Sequence, residues 1–138
     1  MKPFNIIVNL ERGKLELKRE AVVICYVYFL LDKYQMTISD ISTTRKYRRK
    51  GYGNIMMHIL MGVAQSKKIP IYLYSLLEAV QFYEKLGFTR LRRYRKGWYK
   101  GKRVVIDNLN IRKTFIQQTN RTDMIWIPSN VHIVHICI

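Results

Sequence analysis

Acidic residues are scarce in this sequence. Nine Asp and Glu stand against 25 Lys and Arg, a formal charge of +16 over 138 residues. Such a charge attracts polyanions and says nothing about fold. Cysteine is scarcer still. Cys25 and Cys137 form no metal-ligand spacing, nothing in the chain requires a disulfide, and Cys25, inside an apolar run, is expected to be a buried core thiol. Of the three histidines, His58, His132 and His135, none has an acidic or cysteine partner spaced for a metal, so no metal is expected. The apolar run Ala21 to Leu31 falls short of the roughly 20 residues needed to span a bilayer. The first ten residues lack the basic start, apolar centre and small-residue cleavage site of a signal peptide. The expectation is no membrane and a cytoplasmic compartment, a host's if the chain is viral. Low-complexity segments and internal repeats are absent.

What is present suffices for one domain. Nearly half the residues are apolar and are spread along the whole chain. Phe4 to Leu10 and the alternating Leu15 and Leu17 read as short strands about a turn at Arg12-Gly13-Lys14. Ala21 to Leu31 is a third strand and Gln35 to Thr43 a fourth. Strict alternation in the fourth predicts Met36, Ile38 and Asp40 on one face, with Thr37, Ser39, Ile41 and Thr43 on the other. After Gly53 the period changes. Ile55, Met56, Ile59, Leu60 and Val63 predict a helix with one apolar stripe, ending near Lys67-Lys68. Ile71 to Tyr74 is a fifth strand, and Glu78 to Leu86 a second helix closed by Gly87. Phe88 to Arg95 and Lys102 to Ile111 predict two strands joined by a turn over Lys96 to Gly101. The domain is expected over residues 1–112, with 113–138 an apolar extension packing on it or on a partner.

The stretch RRKGYG, residues 48–53, joins the fourth strand to the first helix. A glycine loop feeding a helix N-terminus is an anion site, because free N–H groups of the first turn point outward and the helix dipole adds about half a positive charge. GxxxxGK[ST] is absent, so a P-loop has no support. Met56 stands where a dinucleotide fingerprint needs its third glycine or alanine.

Arg48-Arg49-Lys50-Gly51-Tyr52-Gly53 matches Q/R-x-x-G-x-G/A, the acetyl-coenzyme A loop of the GNAT superfamily of N-acetyltransferases. The flanking ISTTRKYRRKGYG resembles that family's strand and loop, with Tyr47 and Arg48 in register. AVQFYEKLGF resembles its A-x-x-L/F-Y-E-K-x-G-F segment, and RKGWYKGKRVVIDNL resembles its final hairpin. The resemblance covers roughly residues 21–112. It implies an α+β fold: a single domain with a mixed, mostly antiparallel sheet, a central splayed strand pair and two main helices. Residues 1–34 leave no room for the two helices that family members usually carry there. In plan the chain is similar to the small phage-encoded acetyltransferases. Leu76 replaces an asparagine that many members place seven residues before the tyrosine.

Acetyl-CoA as cosubstrate, without a metal, and acetyl transfer to an amine are what the resemblance implies. Backbone N–H groups of Arg49, Lys50, Gly51, Tyr52, Gly53 and Asn54 would bind the pyrophosphate, with Arg48 also in the cofactor loop. Ile41 and Thr43 would line the fourth strand beside pantetheine, with an N–H near Thr43 facing the thioester oxygen. Tyr83 matches the tyrosine that protonates the departing thiolate; an ordinary tyrosine, with a pKa near 10, is protonated at neutral pH. For the general base the candidates are Asp40 and Glu78, each with a plain structural alternative in strand pairing or helix-terminal charge, and a water relay would also serve.

The acceptor is read from charge. Nine cations and no acid lie between Lys85 and Val105, with Trp98 and Tyr99 among them. Arg92, Arg93, Arg95, Trp98 and Tyr99 are expected to bind the acceptor, a protein or ribonucleoprotein with an acidic surface, with nucleic acid contact also open; the plain alternative is a solvated hairpin on a very basic protein. A protein lysine or N-terminal amine is the first expectation. The alternatives are an amine on aminoacyl-tRNA or another RNA-linked acceptor, and a non-catalytic basic subunit of a nucleic-acid or ribonucleoprotein assembly. Oligomeric state is not legible.

Overall fold

The computed structural model describes residues 3–91, 96–99, 102–107 and 121–137. Strands β1 (Asn5–Asn9), β2 (Lys14–Arg19), β3 (Val22–Leu31) and β4 (Met36–Thr43) lead to helix α1 (Tyr52–Lys67). Then come β5 (Ile71–Leu76), a 3₁₀ turn at Leu77–Ala79, α2 (Val80–Leu86) and β6 (Thr89–Arg90). β7 (Lys96–Tyr99), β8 (Lys102–Asp107), β9 (Arg121–Trp126) and β10 (Ile133–Cys137) follow. The main sheet has the order β1-β2-β3-β4-β5-β9-β6, and a second sheet the order β10-β8-β7. β1 to β4 pair antiparallel, whereas β4 and β5 run parallel through the α1 crossover.

The first turn requires glycine. Gly13 has φ +66, and a Cβ there would lie 1.7 Å from the Phe29 carbonyl oxygen. Its own carbonyl accepts the Phe29 N–H at 2.8 Å, which brings β3 against the turn. Leu15 and Leu17 of β2 are buried beside Cys25, Val27 and Phe29 of β3. A register shift after Leu17 adds Ile24 to the same buried set.

Both helices cover one face of the main sheet. Met56, Met57, Leu60, Met61 and Ala64 of α1 and Val80 and Tyr83 of α2 share a core with Ile71 and Leu73. Tyr72, between those two, turns to the other face, where it meets Leu91, Ile125, Val131 and Val134. The second sheet is anchored there through Val134 of β10.

Several expectations are corrected. The buried stripe of α1 is rotated relative to the sequence reading: Ile55 is exposed, Ile59 and Val63 are half-buried, and Met57, Met61 and Ala64 are buried. Asp40 does not share a face with Met36 and Ile38, because β4 carries a bulge between them. Lys96–Tyr99 is a strand rather than a turn, and it pairs with β8 in the second sheet. The basic hairpin is thus not the last strand pair of the main sheet. The strand expected over Phe88 to Arg95 is short, Thr89–Arg90, and residues 92–95 lie outside the described residues. The stretch 113–138 supplies β9, seated between β5 and β6, and β10.

Candidate active site

β4 and β5 are paired only from Met36–Ile38 to Ile71–Leu73. Beyond that, β4 stays with β3 as far as Thr43, and β5 stays with β9 as far as Leu76. A wedge therefore opens between Ser39–Thr43 and Tyr74–Leu76. The cause lies in β4. Tyr28 faces Asp40 and Phe29 faces Ile38, so Ser39 is an extra residue. Such a bulge bends its strand and sharpens its twist. The Ser39 hydroxyl donates to the Tyr28 carbonyl at 3.0 Å, tying the bulge down.

The bulge also sets the side chains. Ile38 and Ile41 both face the helices, and Asp40 between them faces the open side of the sheet. There the Tyr26 hydroxyl donates to Asp40 Oδ2 at 3.0 Å. That bond is the first cause of a raised Tyr26 pKa. Peptide groups follow the same logic. The Thr44 N–H donates to the Ile24 carbonyl on β3 at 2.8 Å. Successive peptides of an extended chain point to opposite sides, so the Thr43 peptide faces away from β3, into the wedge. The Thr43 carbonyl accepts Arg48 Nε at 2.9 Å, leaving the Thr43 N–H as a donor aimed into the gap.

At the wide end of the wedge stands the glycine loop. A 3₁₀ turn at Arg45–Tyr47 is followed by Arg49 at φ +62 and Gly51 at φ +84, and α1 begins at Tyr52. The first intrahelical bond runs from the Ile55 N–H to the Gly51 carbonyl, so the N–H groups of Tyr52, Gly53 and Asn54 have no acceptor within the helix. No side chain caps this end and no acid lies in the first turn. A Cβ on Gly51 would meet nothing within 4 Å; the glycine serves its left-handed φ and open access. Gly53 is an ordinary helical residue whose Cβ would sit 3.6 Å from the Phe82 ring and 3.8 Å from Ile41 Cδ1. Ile41, Gly53 and Phe82 thus form the floor of the wedge, where β4, α1 and α2 converge. Arg45, Lys46, Arg48, Arg49 and Lys50 are exposed around it, with the Lys46 and Lys50 ammonium groups 5.7 and 5.9 Å from the centre of the Tyr47 ring.

Tyr83 enters from α2. It is 5% exposed and packs edge-on against Phe82 and Phe88. Burial pushes its pKa up to about 12, and the negative charge of Asp40 is the second cause. Tyr83 lies on the helix side of the sheet and Asp40 on its open side. Glu78 is exposed on the turn after β5. Of the residues expected to bind acceptor, Arg92, Arg93 and Arg95 lie outside the described residues, and Trp98 and Tyr99 belong to β7 in the second sheet. Sequence reasoning missed the Ser39 bulge and the Tyr26–Asp40 bond, which depend on strand register, and the Arg48–Thr43 tie and the apolar floor, which depend on how the loop and the two helices pack. Among the described residues no three His, Cys, Asp or Glu side chains come together as a metal site. No helix among them is long and apolar enough to cross a membrane.

Comparison with known proteins agrees with this geometry. The model of the GNAT acetyltransferase domain matches residues 13–90, more than half of the chain. No curated protein sequence matches it. Among solved structures, the chain superposes on ElaA of Escherichia coli with a TM-score of 0.57 at 14% identity, covering 81% of this chain and 66% of that one. The ribosomal-protein-S18-alanine N-acetyltransferase of the same organism gives 0.54 at 15% identity, with 86% and 72% covered. PaiA N-acetyltransferase of Thermoplasma acidophilum, in complex with coenzyme A, gives 0.57 at 13% identity, with 83% and 59% covered. At these identities the likeness is one of fold. The domain match, the loop and the splayed strands together place the chain in the GNAT family of acetyltransferases, whose cosubstrate is acetyl-CoA.

Proposed function

We propose that this chain transfers an acetyl group from acetyl-CoA to an amine on a macromolecule, a protein lysine or N-terminal amine. The observation that carries the reading is the wedge, with a phosphate-ready loop at its wide end and Tyr83 and Asp40 on its two sides. The residues fit the cosubstrate. The uncapped N–H groups of Tyr52 to Asn54 suit a pyrophosphate, and the wedge exposes strand backbone for an extended pantetheine.

Asp40 takes the proton from the incoming ammonium and frees the amine lone pair to attack the acetyl carbonyl. The Thr43 N–H stabilises charge developing on the carbonyl oxygen. As the carbon–sulfur bond breaks, the Tyr83 hydroxyl gives its proton to the leaving sulfur. With a pKa of about 12, Tyr83 holds that proton throughout the neutral range. Glu78 is the second candidate base.

Access favours a large acceptor. Residues 5–31 form three strands and no helix, and Tyr28, Leu30 and Tyr74 are exposed on the side away from α1 and α2. The cations from Arg90 to Arg103 suit an acceptor with an acidic surface. The test is intact-mass analysis after incubation with labelled acetyl-CoA, using acidic proteins and aminoacyl-tRNA as acceptors in parallel. Label on protein amines supports the reading. Label on tRNA alone selects the RNA-linked acceptor, and a bound cosubstrate with no transfer selects a non-catalytic subunit.

A further inference from the structure

The main sheet ends at β1, and among the described residues only β2 pairs with it. An exposed edge strand offers a row of free backbone donors and acceptors, which monomeric proteins commonly blunt with charge, bulges or proline. β1 has none of these. Its register with β2 is unbroken from Asn5 to Asn9, and no charged residue occurs from Pro3 to Leu10 in a chain of net charge +16. Ile6, Ile7 and Val8 are 47%, 45% and 45% exposed, so both faces of the strand are apolar and uncovered. The strand is also held firmly. Phe4 packs edge-on against Tyr52 with ring centres 5.5 Å apart, and the Arg19 guanidinium sits 4.0 Å from the Phe4 ring centre.

From this we infer that β1 pairs antiparallel with β1 of a second copy about a two-fold axis through Ile7, joining two main sheets edge to edge. The sequence NIIVN is nearly palindromic. With Ile7 opposite Ile7, Ile6 faces Val8, Asn5 faces Asn9, and Phe4 comes opposite Leu10. The β-branched residues in the middle face one another directly, where cross-strand side chains pack and no like charges meet. Pairing parity is met as well. In an antiparallel ladder, facing residues both turn their peptide groups toward the partner or both away. A two-fold axis through a residue satisfies this automatically. The contact is isologous and closed, and it is the strand-addition mode of recognition. Charge favours this edge over other surfaces, since two copies of such a basic chain meet best where neither carries a cation. The remaining repulsion is long-range and screened by salt. Dimerisation is therefore expected to strengthen as salt rises, opposite to the binding of a polyanion.

The experiment is sedimentation velocity over a concentration series at low and high salt. The wild type is expected to shift from 16.6 kDa toward twice that mass, more readily at high salt. Ile7→Lys sets two like charges against each other at the axis and should remain monomeric. Mixing it with Ile7→Glu should restore the dimer. Ile7→Cys, a milder change, should form a disulfide-linked dimer on oxidation, because directly facing Cα atoms in such a pair lie within disulfide range. A wild type that is monomeric at every concentration and salt overturns the inference. So does a folded Ile7→Lys protein that dimerises as the wild type does, or Ile7→Cys that fails to cross-link.

Discussion

The carboxylate of Asp40 helps to hold Tyr83 in its protonated form, although the two side chains reach the sheet from opposite faces. Asp40 lies on β4 beyond the point where it parts from β5. In the mechanism proposed above, proton transfer from the acceptor amine to Asp40 removes one cause of the raised Tyr83 pKa before the sulfur leaves.

Asp40→Asn isolates that coupling. The pKa of Tyr83 should move down from about 12, followed by the ring signals of labelled tyrosine across an alkaline titration. Turnover should fall together with it if Asp40 is the proposed base. An unmoved Tyr83 titration would show that the Asp40 charge does not act on Tyr83.

Tyr83→Phe keeps the ring that packs on Phe82 and Phe88 and removes the proton. General acid catalysis is typically worth roughly 10²–10⁴-fold, so turnover should drop by about that factor while acetyl-CoA affinity holds. Stability against pH gives a second readout. The folded pKa lies above the ordinary value of 10.0, so the contribution is complete below pH 10 and is lost as pH rises through about 12. The slope is at most about 1.4 kcal/mol per pH unit for this one group. Denaturant melts between pH 9 and 12 should show a shallower decline for Tyr83→Phe than for wild type.

Gly13→Ala tests the turn that starts the sheet. The new methyl would overlap the Phe29 carbonyl at a backbone φ of +66, with no flexible side chain to yield. Overpacking of this kind costs roughly 1–3 kcal/mol or more. A melting temperature equal to that of wild type would contradict the tight Gly13–Phe29 approach.

Replacing Arg92, Arg93 and Arg95 with Glu tests the reading of the basic segment. Acceptor binding should be lost and acetyl-CoA binding kept. In wild type, binding to RNA or DNA should weaken steeply with salt, because neutralised phosphates release counterions; an acidic protein surface should give a shallower dependence. Equal binding by wild type and the triple variant at every salt concentration would mean that these arginines are a solvated face.

The loop and the helix after it were legible because their signals are local. Gly51, the cations before it and the apolar residues of α1 all lie within one short stretch. The turn at Gly13 was legible for the same reason. What failed depended on partners distant in sequence. Strict alternation put Asp40 with Ile38, and only the register against Tyr28 and Phe29 reveals the extra residue Ser39. β9 pairs with β5 across a long intervening stretch, so an apolar tail gave no sign that it belonged inside the sheet. The turn expected over Lys96 to Gly101 gives way to a strand, because Lys96–Tyr99 pairs along β8. In α1 the buried face takes in Met57, Met61 and Ala64 and leaves Ile55 exposed, a choice between neighbouring apolar faces that periodicity alone does not rank.

Gly53→Asp is the sharpest test of the account as a whole. The site tolerates a Cβ at ordinary contact distances from Phe82 and Ile41. An acid in the first turn of α1 also favours the helix dipole, which offsets part of the cost of a carboxylate beside Phe82 and Ile41, so the fold should survive. The same carboxylate would stand where the pyrophosphate is expected. Titration calorimetry with acetyl-CoA should show clear binding to the wild type and none to Gly53→Asp. A folded Gly53→Asp protein that binds acetyl-CoA with wild-type affinity would contradict the assignment of the loop, and with it the reading of this wedge as an acetyltransferase site.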